Sequence, residues 1–147
     1  MRRSVEQLVR DTLGIFDAQQ FDRLGEVLRD DVTLTFLGTP ISGLDNVRQT
    51  LEALYASIPD QKHSIERVTA DEPNQAAAVE MLVGGTHDGA PFPTAFGDVP
   101  PSGRHVEWRP GSFIRARDGK VETWTVYLDQ VEVLRALGVE LAPAATA

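Results

Sequence analysis

The period of the hydrophobic pattern changes at Pro59. Before it, apolar residues recur mainly at steps of three and four; after it, mainly at steps of two. A chain built this way puts helices first and a sheet afterwards. Val5, Leu8, Val9, Thr12, Leu13 and Phe16 mark one face of a first helix, with Ser4 as its cap and Gln7 at the capping-box spacing. A second short helix is predicted over 21–28, burying Phe21, Leu24 and Leu28. "DVTLTFLG" alternates as a strand, and "GTPISG" reads as a loop. A third helix over 44–57 carries Val47, Leu51, Leu54 and Ile58, and Pro59 stops it.

Beyond Pro59 the segments "HSIERVTAD" and "QAAAVEMLVGGTH" read as strands parted by the turn "DEPN". "VEWRPGSFIRA" and "KVETWTVYL" follow, joined by "RDGK", whose Asp-Gly is a strong hairpin signal. "DQVEVLRALG" closes the chain as a short helix ending at Gly138. The predicted class is α+β: a curved antiparallel sheet covered by three N-terminal helices, with a cone-shaped cavity between them. "GAPFPTAFGDVPPSG" is placed at its rim. One domain spans 1–147, with 139–147 as a flexible tail.

Composition narrows the classes of function. Without cysteine there are no disulfides, thiolate nucleophiles or cysteine-ligated zinc. A formal charge of -8, from 22 acids and 14 bases, argues against nucleic acid or an anionic membrane as partner. "MRRSVEQLVRDTLGIF" breaks every apolar patch with charge, unlike a leader or a spanning segment, so a cytoplasmic protein is expected. His63, His87 and His105 lack metal-ligand spacing, and no phosphate loop, nucleophile elbow or dinucleotide fingerprint is present. Neither cofactor nor metal is expected.

The element order, "GTH-x-G" at 85–89, "PPSGR" at 100–104, "DGKV" at 118–121 and the ending "YLD…LRALG" together resemble the SnoaL-like polyketide cyclases of the nuclear-transport-factor-2-like superfamily. The resemblance covers nearly the whole chain. It implies the fold just described and a homodimer formed through the open side of the sheet. It leaves the chemistry open, because the superfamily includes cyclases, ketosteroid isomerases, epoxide hydrolases and non-catalytic proteins. Counting from "GK", the catalytic aspartate of the cyclases falls on Val126 and their histidine on Ser112. The "Y-x-N" of the epoxide hydrolases falls on Leu34 and Phe36, and their "R-x-D" near Glu80 and Leu82.

Valine cannot transfer a proton. If Val126 faces the cavity, strand periodicity puts Trp124 and Glu122 on the same side, and an inward Ser112 implies an inward Trp108. The expected substrate wall is therefore Leu34, Phe36, Trp108, Trp124 and Val126, suited to a small apolar molecule.

Three residues are candidates for catalysis. Glu80 sits in the most apolar strand; turned inward, its pKa would rise by desolvation and fit it for acid-base work. Turned outward, it meets solvent or a second subunit. His87 either hydrogen-bonds the rim or meets substrate at the mouth of the cone. Ser112 offers one polarising hydrogen bond. His105 and Glu107 fall on the opposite side of their strand, Asp88 and Asp98 read as solvated acids, and Tyr127 as a packing or interface residue. Asp129, with Glu132 three residues on, reads as the cap of the last helix.

The expected function is a cofactor-independent cyclase for an apolar polyketide-like intermediate of secondary metabolism, acting mainly by shape and proximity. The alternatives are a non-catalytic carrier or association module for hydrophobic ligands, and an isomerase using Glu80.

Overall fold

A computed structural model describes residues 2–145. Met1 and residues 146–147, the end of the predicted tail, lie outside the described residues; 139–145 form neither helix nor strand. Helix α1 (Val5–Asp17) starts where the Ser4 hydroxyl accepts the Gln7 amide at 3.0 Å. The box is only half formed, because the Gln7 side chain turns to Asp11. The residues spaced for one face, Val5, Leu8, Val9, Thr12, Leu13 and Phe16, are all buried.

The second predicted helix is a single 3-10 stretch, Phe21–Glu26. Leu28 is buried as predicted, but it opens the first strand, β1 (Leu28–Phe36). The "GTPISG" loop is in part a strand, β2 (Thr39–Ser42), paired antiparallel with β1. Positive φ at Leu37 and Gly38 turns the chain back within two residues, a hairpin geometry that Leu-Gly does not advertise. Helix α2 (Leu44–Ser57) then packs against β1, the 3-10 stretch and β2.

Strands β3 (Lys62–Asp71) and β4 (Ala76–Thr86) form the long antiparallel pair that the alternation predicts. The predicted strand over 106–116 divides into β7 (His105–Trp108) and β8 (Gly111–Arg117), which pair successively with the same side of β4. Pro110 sits at the break, where a ring without an N–H cannot continue a ladder. Ahead of it, the predicted rim holds a small hairpin, β5 (Phe92–Thr94) and β6 (Gly97–Val99). Strand β9 (Lys120–Tyr127) and helix α3 (Gln130–Ala136) complete the chain.

The main sheet runs β2-β1-β9-β8-β4-β3 and is antiparallel except between β1 and β9. It curves into a half-barrel with the N-terminal helices against its concave side. Core residues such as Leu8, Val9, Leu24, Ile58 and Val121 fill the contact between the layers. Each such side chain contributes roughly 1.5–3 kcal/mol. Among the described residues no helix is long and apolar enough to cross a membrane.

Candidate active site

Between the helices and the sheet lies a cavity of about 60 Å³. The strands supply Leu34 and Phe36 from β1, Trp124 and Val126 from β9, and Ser112 from β8. Trp108 ends β7, and Met81 and Val83 come from β4. Leu13 and Phe16 of α1 and Leu51, Leu54 and Tyr55 of α2 form the opposite side. All five predicted wall residues and Ser112 thus come together on one surface. Glu122 does not join them. Glu122 is the extra residue of a bulge in β9: Arg115 pairs with Thr123 and Ala116 with Val121, so Val121 is fully buried and Glu122 turns out to Arg117 at 3.1 Å.

Glu80 is elsewhere. Along β4 the buried side chains are Val79, Met81 and Val83, so Glu80 alternates outward. Its side chain is 63% exposed and ion-paired with Arg67 at 3.2 Å. That placement puts it in solvent, away from the cavity. His87 is fully buried but stands behind the wall, edge-on to Phe92, with Nε2 3.2 Å from the Ala90 carbonyl. His105 and Glu107 pair with each other at 3.0 Å on the exposed side of β7. Asp88 and Asp98 are exposed, and Asp129 caps α3 by accepting the Val131 and Glu132 amides.

A further polar group on the cavity wall is one the motif pattern does not single out. His63, at the start of β3, lines the cavity. Its Nδ1 lies 2.7 Å from Oδ1 of Asp17, and its backbone amide donates to Oδ2 at 2.8 Å. The Tyr55 hydroxyl donates to the same carboxylate at 2.7 Å. Asp17 is the last residue of α1, where the helix dipole disfavours a negative charge, so these three donors are what keep it there.

Burial pushes the Asp17 pKa up. The hydrogen bonds and charge of His63, with the Tyr55 hydroxyl, outweigh that and hold the carboxyl below the ordinary carboxylate value. Burial, and then the neighbouring Asp17 charge, raise the Tyr55 phenol well above its usual range, so it stays a donor. With Asp17 ionised, Nδ1 is the ring nitrogen of His63 that donates to it, and Nε2 is the one left outside that pair.

The turn before β3 brings another polar group, Gln61, to the wall. Gly85 permits this approach: a Cβ there would sit 2.4 Å from Ile58 Cγ2 and 3.1 Å from Gln61 Cα. Gly89 plays the same part for the rim, since its Cβ would meet the Ala56 carbonyl at 1.9 Å. The glycines of "GTHDG" are thus close-approach positions. Phe36 and Leu54 border both the cavity and an outer groove lined by α2, β2 and the β5–β6 hairpin. Among the described residues, no three His, Asp or Glu side chains gather as a metal site.

Sequence pattern does not reveal this pair, because its members lie 46 residues apart on different elements. One signal was present: Asp17 continues the inner stripe of Leu13 and Phe16, at the helix end where an acid is least favoured.

No curated protein matches this chain. Among solved structures, a SnoaL-like polyketide cyclase of Agrobacterium tumefaciens is 26% identical, with a TM-score of 0.75, over 92% of this chain and 99% of the other. A SnoaL-like polyketide cyclase from Jannaschia superposes with a TM-score of 0.77 at 22% identity, over 92% and 94%. An epoxide hydrolase of M. tuberculosis reaches 0.70 at 19%, over 90% and 84%. The family profile described as SnoaL-like polyketide cyclase matches residues 6–137. With that profile covering both the helical layer and the whole sheet, the chain belongs to the SnoaL-like polyketide cyclase family of the nuclear-transport-factor-2-like superfamily.

Proposed function

We propose that the protein is a cofactor-independent cyclase or isomerase for a small, apolar, polyketide-like intermediate, with His63 as the residue that moves the proton. Family membership supports the reaction class and the apolar substrate. The observation that carries the rest is the Asp17–His63 pair, the ring on the cavity wall and the carboxylate behind it. In this reading Nε2 takes a proton from a carbon next to a substrate carbonyl, leaving an enolate. The Asp17 carboxylate stabilises the imidazolium. The enolate carbon then attacks a second carbonyl, closing a C–C bond, and the imidazolium returns its proton to the new alkoxide. Return of the proton to another carbon of the enolate instead gives an isomerisation. Both sequences balance without a co-reactant.

Shape and proximity keep their expected part. Trp108, Trp124 and Val126 would hold the reacting chain folded, and Phe36 and Leu54 would swing aside to admit a molecule larger than a few waters. A pure carrier would need no ionisable group at the wall, so the position of His63 favours the enzyme. An isomerase built on Glu80 loses its support, because that side chain is exposed. A homodimer completes the proposal. Phe113 and Tyr127, 55% and 64% exposed, stack edge to face at 5.6 Å, suiting them to a second copy.

The test needs no knowledge of the natural substrate. Exchange of the α-protons of 2-tetralone into D2O, followed by NMR, is expected to run faster with the protein than in buffer. The His63→Gln variant should lose about 10²-fold or more of that acceleration. Exchange at the buffer rate, or equal exchange by His63→Gln, would sink the assignment.

A further inference from the structure

Of the four buried side-chain polar atoms without a partner among the described residues, two line the cavity: Oε1 of Gln61 and Oγ of Ser112. Gln61 is 7% exposed and Ser112 1%. An orphaned buried acceptor or hydroxyl is destabilising, so a chain that keeps two on one apolar wall has them meet something there. Water is a poor candidate beside Ser112, whose strand neighbours are Val79 and Val126. A buried water needs two to four polar partners, and neither strand neighbour of Ser112 offers one.

The two groups stand apart. Across β4, His63 faces Val83 whereas Ser112 faces Val79, four residues away or about 13 Å along the strand. Gln61 lies two residues before His63, on the same side as that end. A single oxygen cannot serve both positions.

We propose that Gln61 and Ser112 are the specificity-determining contacts of the cavity, selecting an elongated apolar molecule with a hydroxyl at one end and a carbonyl at the other. A hydroxyl both donates and accepts, so it satisfies the Gln61 carboxamide whichever way that group is turned. The Ser112 O–H donates to the carbonyl oxygen at the far end. With both ends held, the carbons between them lie against the tryptophans, and the hydroxyl-bearing end lies beside His63. The inference rests on reading the cavity as a substrate site, but it does not depend on His63 acting as a base.

Equilibrium binding tests it separately from catalysis. On the His63→Gln background, 6-acetyl-2-naphthol, 2-acetylnaphthalene and 2-naphthol are titrated by calorimetry; none carries the second carbonyl that ring closure needs, so binding is read by itself. Gln61→Leu is expected to weaken the two naphthols about fivefold and leave 2-acetylnaphthalene unchanged. Ser112→Ala should weaken the two ketones about fivefold and leave 2-naphthol unchanged. Removing an unpaired buried polar group costs the free protein nothing, so both variants should melt at or above the parent temperature. Gln61→Met and Ser112→Cys give a second pair if either variant melts lower. Equal binding of all three ligands by parent and variants means the two atoms hold water only, and overturns the proposal. Uniform weakening of all three means a packing role, and overturns it too. No binding of any ligand by the parent overturns the substrate-site reading beneath it.

Discussion

At the scale of single residues, the economy of the site lies in Asp17. One carboxylate receives the Tyr55 hydroxyl, the His63 ring and the His63 amide, and so ties α1, α2 and β3 together behind the cavity. Its depressed pKa fixes the sign of a pH effect. A carboxyl held below its ordinary value of 3.8 in the folded state stabilises the protein at higher pH. That contribution is lost as the pH falls through the folded value. Asp17→Asn lacks it, and leaves a donor of its own facing donors. The variant should be less stable by about 1–3 kcal/mol near pH 7 in urea unfolding, with the gap to wild type closing below pH 3.8. A gap that stays constant from pH 7 down to pH 2 would mean that folding leaves the Asp17 pKa unchanged.

At the scale of elements, the site depends on where β3 begins. The turn from Ile58 to Gln61 lies against β4 only because position 85 has no side chain, and the Thr86 amide clamps it further by donating to Asp60 at 2.6 Å. Ile58 is buried and branched at Cβ, so its Cγ2 cannot swing clear of a new methyl group at 2.4 Å. Gly85→Ala should therefore shift both Gln61 and His63, lowering stability by about 1–3 kcal/mol and activity with it. Thermal melting alongside the exchange assay checks this; a Gly85→Ala protein that melts and exchanges like wild type would show the close approach to be dispensable. The bulge in β9 is the other element-level device, since it turns Glu122 to Arg117 and Val121 to the core. Strict alternation along "KVETWTVY" predicts the reverse, because it has no term for an extra, unpaired residue within the strand, here Glu122 itself.

At the scale of the whole molecule, the two faces of the sheet have divided their tasks. The concave face carries the apolar cavity and the convex face exposes Phe113 and Tyr127. If the convex face joins two copies, wild type runs as a dimer in light scattering at micromolar concentration. Phe113→Asp should then run as a monomer with unchanged circular dichroism. A wild-type protein that is monomeric throughout would remove the dimer from the proposal.

The sequence by itself determined the class of fold, because periods of 3.6 and 2 are local properties that each segment carries wherever it packs. It therefore marked α1, α2, the long strands and the Asp129 cap. The apolar wall from Leu34 to Val126 followed from strand alternation only once the resemblance to the family set which side of the sheet faces inward. Only the tertiary structure decided which polar groups meet that wall. Asp17 ends a helix and His63 begins a strand 46 residues later, and no local pattern couples them. They come together because α1 is laid across the sheet, and that packing is a property of the assembled layers. Glu80 shows the converse. The residues around it are apolar, yet alternation in a sheet covered on one face turns its side chain to solvent.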